Sequence, residues 1–278
     1  MRRPRFALLV ACWLAGICGR AENRGMTGSE HRLVGTAALV TGATSGLGRA
    51  IAARLAEAGV DVALLGRSPQ GLAEASSEVT AHGVRALQLS VDLADTDSLT
   101  QAVERAANEL GGLGILVNAA GTDVPGSAEE LSVTDWQRVL AVNLTAPFVL
   151  AKAAMPHMRR RGGGLIVNIS SVAGRRGWAK ASAYCSTKFA LTGLTQSLAA
   201  EGRTDGIRVC VLYPGAMNTN WGSFDPTQRR SPQPEARDDR ESLDPATVAD
   251  LIAWMATAPG QPVLNEVTMT PLLEAGWP

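Results

Sequence analysis

Ala37-Ala38-Leu39-Val40 runs directly into Thr41-Gly42-Ala43-Thr44-Ser45-Gly46-Leu47-Gly48, and this junction decides the fold. The first four residues form a short apolar run that suits a buried parallel strand. A helical pattern follows, with apolar residues at Ile51, Leu55 and Val60. A strand, a glycine-rich turn and a helix in this order predict a nucleotide site, because N–H groups at the start of a helix can hold phosphates.

Each glycine of the turn has a predicted task. Gly42 permits the tight turn, Gly46 lets the main chain approach a pyrophosphate, and Gly48 permits close helix packing. The spacing is one residue longer at the first gap than in the commonest fingerprint, so a plain strand–helix turn is the alternative. Glycine at all three places favours nucleotide binding, with cofactor contacts from Gly42, Thr44, Ser45, Gly46, Leu47 and Gly48.

The end of the second predicted strand, residues 61–65, indicates which dinucleotide is bound. An acidic residue at this place would bind a free ribose 2′-hydroxyl, whereas an arginine suits a 2′-phosphate. Gly66-Arg67 stands here. The sequence therefore favours NADP(H), and NAD(H) with a solvated Arg67 is the alternative.

Strands and helices alternate over the rest of the chain and predict an α/β fold with a single, doubly wound parallel sheet. Ligands of such sheets bind outside the carboxyl ends of the strands. The further predicted helices are 71–82, 97–110, 133–161 and 245–257, and the further strands are 86–91, 114–117, 164–169, 207–212 and 263–270. The residues at or just past strand ends, which should share one site, are Gly42, Arg67, Asp92, Asn118, Ser171 and Pro214.

Two polar residues in this pattern have competing interpretations. Asp92 could accept a hydrogen bond from an adenine amino group, or it could cap the helix 97–110. Asn143 lies in the middle of a predicted helix, where asparagine is unfavourable. A functional role or a solvated side chain would each explain it.

Tyr184 and Lys188 are four residues apart, in the sequence Tyr184-Cys185-Ser186-Thr187-Lys188. Residues at this spacing share one face of a helix. A nearby ammonium stabilises the phenolate and lowers the pKa of a tyrosine, which would make Tyr184 a usable acid and base near neutral pH. Cys185 is read as a small packing residue.

Composition excludes several classes of protein. The 26 basic and 26 acidic residues cancel, so no surplus of positive charge favours nucleic acid. The four cysteines, Cys12, Cys18, Cys185 and Cys210, have neither metal-site spacing nor the density of a disulfide scaffold. The main body is therefore expected to be a reduced protein without a metal site, located in the cytoplasm.

Residues 1–25 are a separate N-terminal extension. Arg2, Arg3 and Arg5 precede the apolar run 6–19, which is short for a bilayer span and resembles a secretory signal. A membrane anchor and a true start at Met26 are the competing interpretations. Residues 26–278 are expected to form the domain.

Residues 222–244 interrupt the alternating pattern with a long polar stretch. Such a length exceeds an ordinary connection. The interpretations are a disordered insertion or a lid over the substrate, with Trp178, Trp221 and Phe224 shaping the pocket.

In its ordered set of motifs the chain resembles the short-chain dehydrogenase/reductase family, from about Leu33 to the C-terminus. The separation of 13 residues between Ser171 and Tyr184 also matches. The residues that carry the resemblance are Thr41 to Gly48, Asp92, Asn118 to Gly121, Asn143, Ser171, Tyr184, Lys188, Pro214, Gly215 and Thr219.

The resemblance implies a Rossmann-type fold and roles for the site residues. Tyr184 would be the general acid and base, and Lys188 would lower its pKa and hold the nicotinamide ribose. Ser171, rather than Ser170, would polarise the substrate carbonyl, and Asn143 would hold a water. Further cofactor contacts are expected from Asp92, Leu93, Asn118, Ala119, Gly121, Pro214, Gly215, Met217 and Thr219.

Two positions depart from the family pattern. Ala119 replaces a second asparagine, and Met217 replaces a β-branched residue beside the nicotinamide.

The tail 265–271 resembles a branch that acts on hydroxy acids and similar alcohols with NADP. The resemblance thus implies hydride transfer between a secondary alcohol, or hydroxy acid, and its carbonyl compound, in a homodimer or homotetramer. A catalytically silent nucleotide-binding or scaffold protein is the alternative.

Overall fold

A computed structural model of the chain describes residues 36–219, 240–258 and 263–274. Strands and helices alternate through the described residues as the apolar pattern predicts. In chain order they are β1 (Ala37–Thr41), α1 (Gly46–Glu57), β2 (Asp61–Gly66), α2 (Pro69–Thr80), β3 (Ala86–Ser90), α3 (Thr96–Glu109), β4 (Ile115–Asn118), α4 (Val133–Leu140), α5 (Ala146–Arg160), β5 (Gly164–Ile169), α6 (Ser182–Gly202), β6 (Ile207–Pro214), α7 (Pro245–Thr257) and β7 (Glu266–Met269).

The strands form one parallel sheet in the order β3-β2-β1-β4-β5-β6-β7. The chain builds outward from β1 to β3 and then returns to the other side of β1 with β4. This reversal creates a switch point at which the crevice beyond the strand ends opens. The prediction of a single Rossmann-type doubly wound sheet is confirmed.

Both faces of the sheet are covered, which explains the nearly continuous apolar strands. In β1, Ala38 and Val40 pack into the apolar layer under α1, α2 and α7, while Ala37 and Leu39 pack into the layer under α3, α5 and α6. All four side chains are fully buried. Each Å² of apolar surface removed from water stabilises the fold by about 25 cal/mol, and this is the main stabilisation of such a core.

The predicted long helix 133–161 is not one regular α-helix. A π-helical turn, Ala141–Thr145, separates α4 from α5. By length and composition the whole stretch Val133–Arg160 could cross a membrane. Leu150 and Ala154 are nevertheless fully buried in the apolar layer beneath the sheet, so α5 is a core helix.

The N-terminal extension 1–25 and most of the segment 222–244 lie outside the described residues. The last residues of that segment are described. Leu243 donates its N–H to the Ala216 carbonyl at 2.8 Å and accepts from the Asn218 N–H at 2.9 Å. These hydrogen bonds join the residues just before α7 to the residues just after β6.

Candidate active site

One cleft opens beyond the carboxyl ends of the strands and collects most of the predicted residues. Asn118, Asn143 and Trp178 are the predicted residues of the described chain that do not line it. Those that do are Gly42, Thr44, Ser45, Gly46, Leu47, Gly48, Arg67, Asp92, Leu93, Ala119, Gly121, Ser171, Tyr184, Lys188, Pro214, Gly215, Met217 and Thr219.

The glycine turn has a geometry that larger residues would disturb. Gly42 has φ +70, and a Cβ there would lie 3.0 Å from the Cα of Ala120. A Cβ on Gly48 would lie 2.4 Å from the Gly42 carbonyl oxygen. Gly42 is thus required for a left-handed backbone conformation, and Gly48 for the close packing of α1 on the turn. Both requirements agree with the sequence analysis.

The start of α1 is suited to an anion. Its N-cap residue, Ser45, makes no side-chain capping bond, and the first turn contains no acidic residue. Side chains of Ser68, Asp95, Ser132 and Asp244 cap the starts of α2, α3, α4 and α7, whereas the starts of α5 and α6, like that of α1, have no side-chain cap. Because the first N–H groups of a helix require acceptors, the uncapped turn fits the pyrophosphate of a dinucleotide.

A charged cluster lies at the β2 and β3 end of the cleft. Arg138 Nη2 donates to Asp92 Oδ1 at 2.9 Å, and the Ala94 N–H donates to the same oxygen at 3.0 Å. Burial raises the pKa of Asp92, but these hydrogen bonds outweigh it, with help from the charge of Arg67, so that the pKa is lowered. Asp92 is therefore a carboxylate that lines the cleft.

Asp92 does not cap the following helix. The N-cap of α3 is Asp95, whose side chain accepts from the Ser98 N–H at 3.2 Å. The capping interpretation of Asp92 is wrong, because the chain makes a further turn before the helix begins.

Ser171 and Tyr184 are joined by a side-chain hydrogen bond. Ser171 follows β5, and Tyr184 lies in the first turn of α6. The neighbouring Ser170 is buried and donates instead to the Lys188 carbonyl at 3.1 Å. Of the two serines, Ser171 is thus the one beside the phenol.

The pKa of Tyr184 is raised, contrary to the expected effect of Lys188. Burial is the main cause, and the hydrogen bond with Ser171 opposes it. Lys188 Nζ lies 5.5 Å from the centre of the Tyr184 ring and donates to the Ile169 carbonyl at 2.7 Å. Helical spacing thus brings the Lys188 ammonium close to the Tyr184 ring, but burial has the larger effect and raises the pKa of the phenol.

Burial also lowers the pKa of Lys188, to about 8. Lys188 lines the cleft together with Tyr184. An ammonium that is buried among few acceptors binds a hydroxyl strongly. Lys188 therefore fits the ribose hydroxyls of a cofactor that lies in the cleft.

Asn143 lies behind the cleft in the π-helical turn. Its side chain bonds both the N–H and the carbonyl of Thr122, each at 2.8 Å. Its Nδ2 also donates to Thr187 Oγ1 at 3.2 Å, and Thr187 Oγ1 donates to the Tyr184 carbonyl at 2.8 Å. Asn143 therefore connects the loop after β4 to the turn that carries Tyr184.

Asn118 is buried within the sheet. Its Nδ2 donates to Asn168 Oδ1 at 2.8 Å, and Asn168 Nδ2 donates to Thr195 Oγ1 at 2.9 Å. This chain of amides joins β4, β5 and α6 below the cleft. Asn118 itself does not line the cleft, and its predicted contact with the cofactor stays a prediction.

Among polar and charged residues, sequence reasoning missed Thr122, Asp123 and Arg138 near the site. Arg138 and Thr122 line the cleft, and Asp123 is a buried carboxylate whose charge raises the pKa of Tyr184. The position of Asp123, two residues past the glycine after β4, is a signal that could have identified it. Arg138 has no comparable signal, because it reaches the cleft from α4.

The predicted substrate aromatics are only partly described. Trp178 is 48% exposed and does not line the cleft. Trp221 and Phe224 lie outside the described residues. Within 36–219, 240–258 and 263–274, no group of three His, Cys, Asp or Glu side chains is placed to hold a metal.

Comparison with known proteins agrees with the fold. The family model described as short chain dehydrogenase matches residues 36–229. The chain is 40% identical over 189 residues to 2,5-dichloro-2,5-cyclohexadiene-1,4-diol dehydrogenase LinX of Sphingobium indicum, covering 68% of this chain and 76% of that protein. It is 36% identical over 221 residues to cis-4-hydroxycyclohexanecarboxylate dehydrogenase of Sinomonas cyclohexanicum, covering 79% and 88%.

Solved structures show the same architecture. A metagenomic short-chain oxidoreductase in complex with NADP superposes with a TM-score of 0.74 at 32% identity, covering 87% of this chain and 100% of that chain. Carveol dehydrogenase from Mycobacterium avium in complex with NAD gives 0.77 at 27% identity, covering 86% and 98%. The chain belongs to the short chain dehydrogenase family and is an oxidoreductase with a Rossmann-type nucleotide-binding fold.

Proposed function

We propose that this protein is an NADP(H)-dependent dehydrogenase or reductase that interconverts a secondary alcohol and its ketone. The observation that carries the proposal is the hydrogen-bonded pair of Ser171 and Tyr184 beside Lys188, at the end of a cleft that begins with the glycine turn. Relatives named for a ring diol and a ring hydroxy acid support a hydroxyl on a carbon ring as the substrate class.

The cleft residues would hold the dinucleotide along its length. The uncapped start of α1 would bind the pyrophosphate, Arg67 the 2′-phosphate, Asp92 the adenine and Lys188 the nicotinamide ribose. When bound, the dinucleotide takes up or supplies a hydride, so that the alcohol and NADP⁺ give the ketone, NADPH and one proton.

Tyr184 would move the proton of the reaction. Because burial raises its pKa, the phenol is protonated at neutral pH and can donate to the oxygen of a ketone during reduction. Ser171 would orient that oxygen and stabilise its developing negative charge. In the oxidative direction the same phenol oxygen would accept the hydroxyl proton, and Asn143 would support a water on the proton path.

Tyr184→Phe in the full chain tests the mechanism. Turnover should fall by about 10²- to 10⁴-fold, the usual contribution of general acid–base catalysis. NADPH binding, followed by fluorescence titration, should be retained. Tyr213→Phe is the matched control, because Tyr213 is the other tyrosine and its hydroxyl lies buried, 3.0 Å from Thr192 Oγ1. Full turnover by the Tyr184 variant would overturn the proposal.

The choice of NADP(H) over NAD(H) rests on the position of Arg67 in the cleft. Arg67→Asp should weaken NADPH binding by about tenfold or more, as expected from the loss of a hydrogen bond to a charged group, and leave NADH binding unharmed. Arg105→Asp on the outer surface of α3 is the control for charge. Tighter binding of NADH than NADPH by the unaltered chain would make it an NAD(H) enzyme.

We also propose a cytoplasmic homo-oligomer. The cytoplasm supplies the dinucleotide. Phe148 on α5 and Phe189 on α6 are 46% and 47% exposed, which supports contact between copies through these helices. Light scattering of the purified full chain, compared with a Phe148→Glu variant, would distinguish a monomer from a dimer or tetramer.

A further inference from the structure

Asp92 is the one carboxylate among the described residues that line the cleft. A dinucleotide brings the negative charges of its phosphates into the same cleft, so an unbalanced carboxylate there would oppose binding. Arg138 balances this charge, because its Nη2 donates to Asp92 Oδ1 at 2.9 Å. Arg138 itself also lines the cleft. The ion pair is therefore part of the cofactor site by position as well as by charge.

The backbones of both residues are fixed by the fold. Asp92 lies just beyond β3, next to Val91, whose N–H donates to the Gly66 carbonyl at the end of β2 at 3.0 Å. Arg138 lies in the last turn of α4, beside the fully buried Val139. The guanidinium thus reaches from α4 to the end of β3 between two anchored segments.

Both hydrogen bonds to the Asp92 side chain end on the same oxygen. Arg138 Nη2 and the Ala94 N–H each donate to Oδ1, at 2.9 Å and 3.0 Å. Within the described part of the chain, no hydrogen bond ends on Oδ2. A carboxylate oxygen in this state can accept from a ligand that enters the cleft. Because two donors hold Oδ1, they also fix the direction in which Oδ2 points.

Stability of the fold does not explain this ion pair. The side chains of Arg138 and Asp92 are 36% and 46% exposed, and ion pairs as exposed as this contribute little to the free energy of unfolding. A bound dinucleotide would cover both side chains and displace water from them. The hydrogen bond between them would then be stronger, because the local dielectric constant falls. The pair is therefore suited to a task in the complex.

We propose that Arg138 is a positioning residue for recognition of the adenine ring. It holds Oδ1 of Asp92, so that Oδ2 accepts a hydrogen bond from the 6-amino group of the adenine. Arg138 thus sets how strongly the protein prefers an adenine dinucleotide to one with a 6-oxo purine. This inference rests on the proposed place of Asp92 beside the adenine, and it adds the residue that orients the carboxylate.

NADPH and its hypoxanthine counterpart, reduced nicotinamide hypoxanthine dinucleotide phosphate, test the inference. They differ only in the purine, where hypoxanthine has an oxygen in place of the 6-amino group. The measured quantity is the ratio of the two dissociation constants, hypoxanthine to adenine, from fluorescence titration of the full chain. For the unaltered chain the ratio should be about ten or more, the effect of losing a hydrogen bond to a charged group. Changes in phosphate or ribose binding affect both dinucleotides and cancel in the ratio.

Arg138→Met should lower this ratio by about threefold or more, because the Asp92 carboxylate can then turn away from the adenine and its hydrogen bond weakens. Arg138→Lys keeps a charged donor and should retain more of the ratio than methionine does. Arg138→Ala is a second test variant, since alanine suits the interior of α4, and it should act as methionine does. Thermal melting of each variant shows that it is folded.

Arg105→Met is the matched control. Arg105 forms an ion pair with Glu109 at 3.0 Å on α3, with side chains 55% and 48% exposed. Arg105 does not line the cleft. Its replacement therefore removes an arginine from a similar exposed pair, and the ratio should keep its unaltered value.

A double-mutant cycle distinguishes positioning through Asp92 from direct contact with the base. Asp92→Ala should remove most of the ratio. If Arg138 acts through Asp92, adding Arg138→Met to this variant should cause no further change. An equal effect of Arg138→Met with and without the Asp92 carboxylate would mean that Arg138 contacts the purine itself, and the positioning role would be overturned.

A lower ratio in a folded Arg138→Met or Arg138→Ala variant, with partial rescue by lysine, supports the inference. An unchanged or higher ratio would overturn it. Equal binding of the two dinucleotides by the unaltered chain would overturn it together with the place of Asp92, and turnover through Tyr184 would stand. Loss of turnover with the ratios as expected would instead contradict only the proposed function. If the unaltered chain prefers NADH, then NADH and its hypoxanthine counterpart give the same ratio.

Discussion

Asn143 pairs with both backbone groups of Thr122: Oδ1 accepts from the N–H and Nδ2 donates to the carbonyl, each at 2.8 Å. A π-helical turn, common at functional sites, presents the amide to the loop. The pairing explains why an asparagine occupies the middle of a long helix. It fixes the first residue of the loop that carries Asp123.

Replacement of Asn143 by leucine should cost stability. Two partly buried backbone groups of Thr122 would lose their partners, at up to about 1–3 kcal/mol each. We expect the free energy of unfolding in urea to fall by about 2–4 kcal/mol, with a loss of turnover. Thr187→Val removes the weaker bond from Asn143 at 3.2 Å and should cost less. Equal stability of Asn143→Leu and the unaltered chain would show that water replaces the amide.

Gly48→Ala should damage both folding and dinucleotide binding. The added methyl group would lie 2.4 Å from the Gly42 carbonyl oxygen, so the turn and α1 would have to move apart. Overpacking of this kind costs about 1–3 kcal/mol. The control is Gly193→Ala in α6, where nothing lies within 4 Å of the added Cβ. Because alanine is the better helix former, this control should melt at the same or a higher temperature.

The free energy of unfolding should depend on pH through Lys188. Burial lowers its pKa from 10.5 to about 8. Between these values the unfolded chain binds the proton more tightly than the folded chain, so stability rises with pH. The full effect is about 3 kcal/mol. Compared with Lys188→Met, the unaltered chain should gain stability from pH 8 to pH ~9.5, below the ordinary titration of tyrosine. Parallel curves for the two proteins would contradict the prediction.

The pH dependence of alcohol oxidation should respond to Asp123. Its negative charge raises the pKa of Tyr184, in addition to the larger effect of burial. In the proposed mechanism, oxidation requires the deprotonated phenol of Tyr184, so Asp123→Asn should move the rising limb of kcat/KM to lower pH. Glu130→Gln, which removes one negative charge from the exposed surface of the same loop, should leave the limb in place. A shift to higher pH would mean that Asp123 does not act on Tyr184 through its charge.

Much of the site was predictable because a parallel sheet collects its strand ends at one edge. The glycine turn, Arg67, Asp92 and Ser171 lie far apart in the chain, yet each follows a strand that the apolar pattern marks. Once the strands are recognised, the common cleft follows. The bounds of the elements shifted by a few residues, because caps such as Asp95 decide where a helix begins.

The remaining features depend on tertiary structure. Helical spacing correctly places Lys188 beside Tyr184, but it carries no information about burial, which raises the pKa of the phenol instead of lowering it. The low helix propensity of Asn143 marks its position in the long helix, but it does not indicate that the helix forms a π-helical turn there. Arg138 meets Asp92 only because α4 passes the end of β3, a contact between residues 46 positions apart.

The loop from Thr122 to Gly126 is attached through its own main chain at both ends. These attachments use backbone groups of the loop, so they do not depend on the side chain at either position. Substitutions between these attachments can therefore change the side chains next to Thr122, which lines the cleft, while both backbone attachments stay in place. This division favours rapid divergence after gene duplication, and it marks the loop as the first place to randomise in directed evolution.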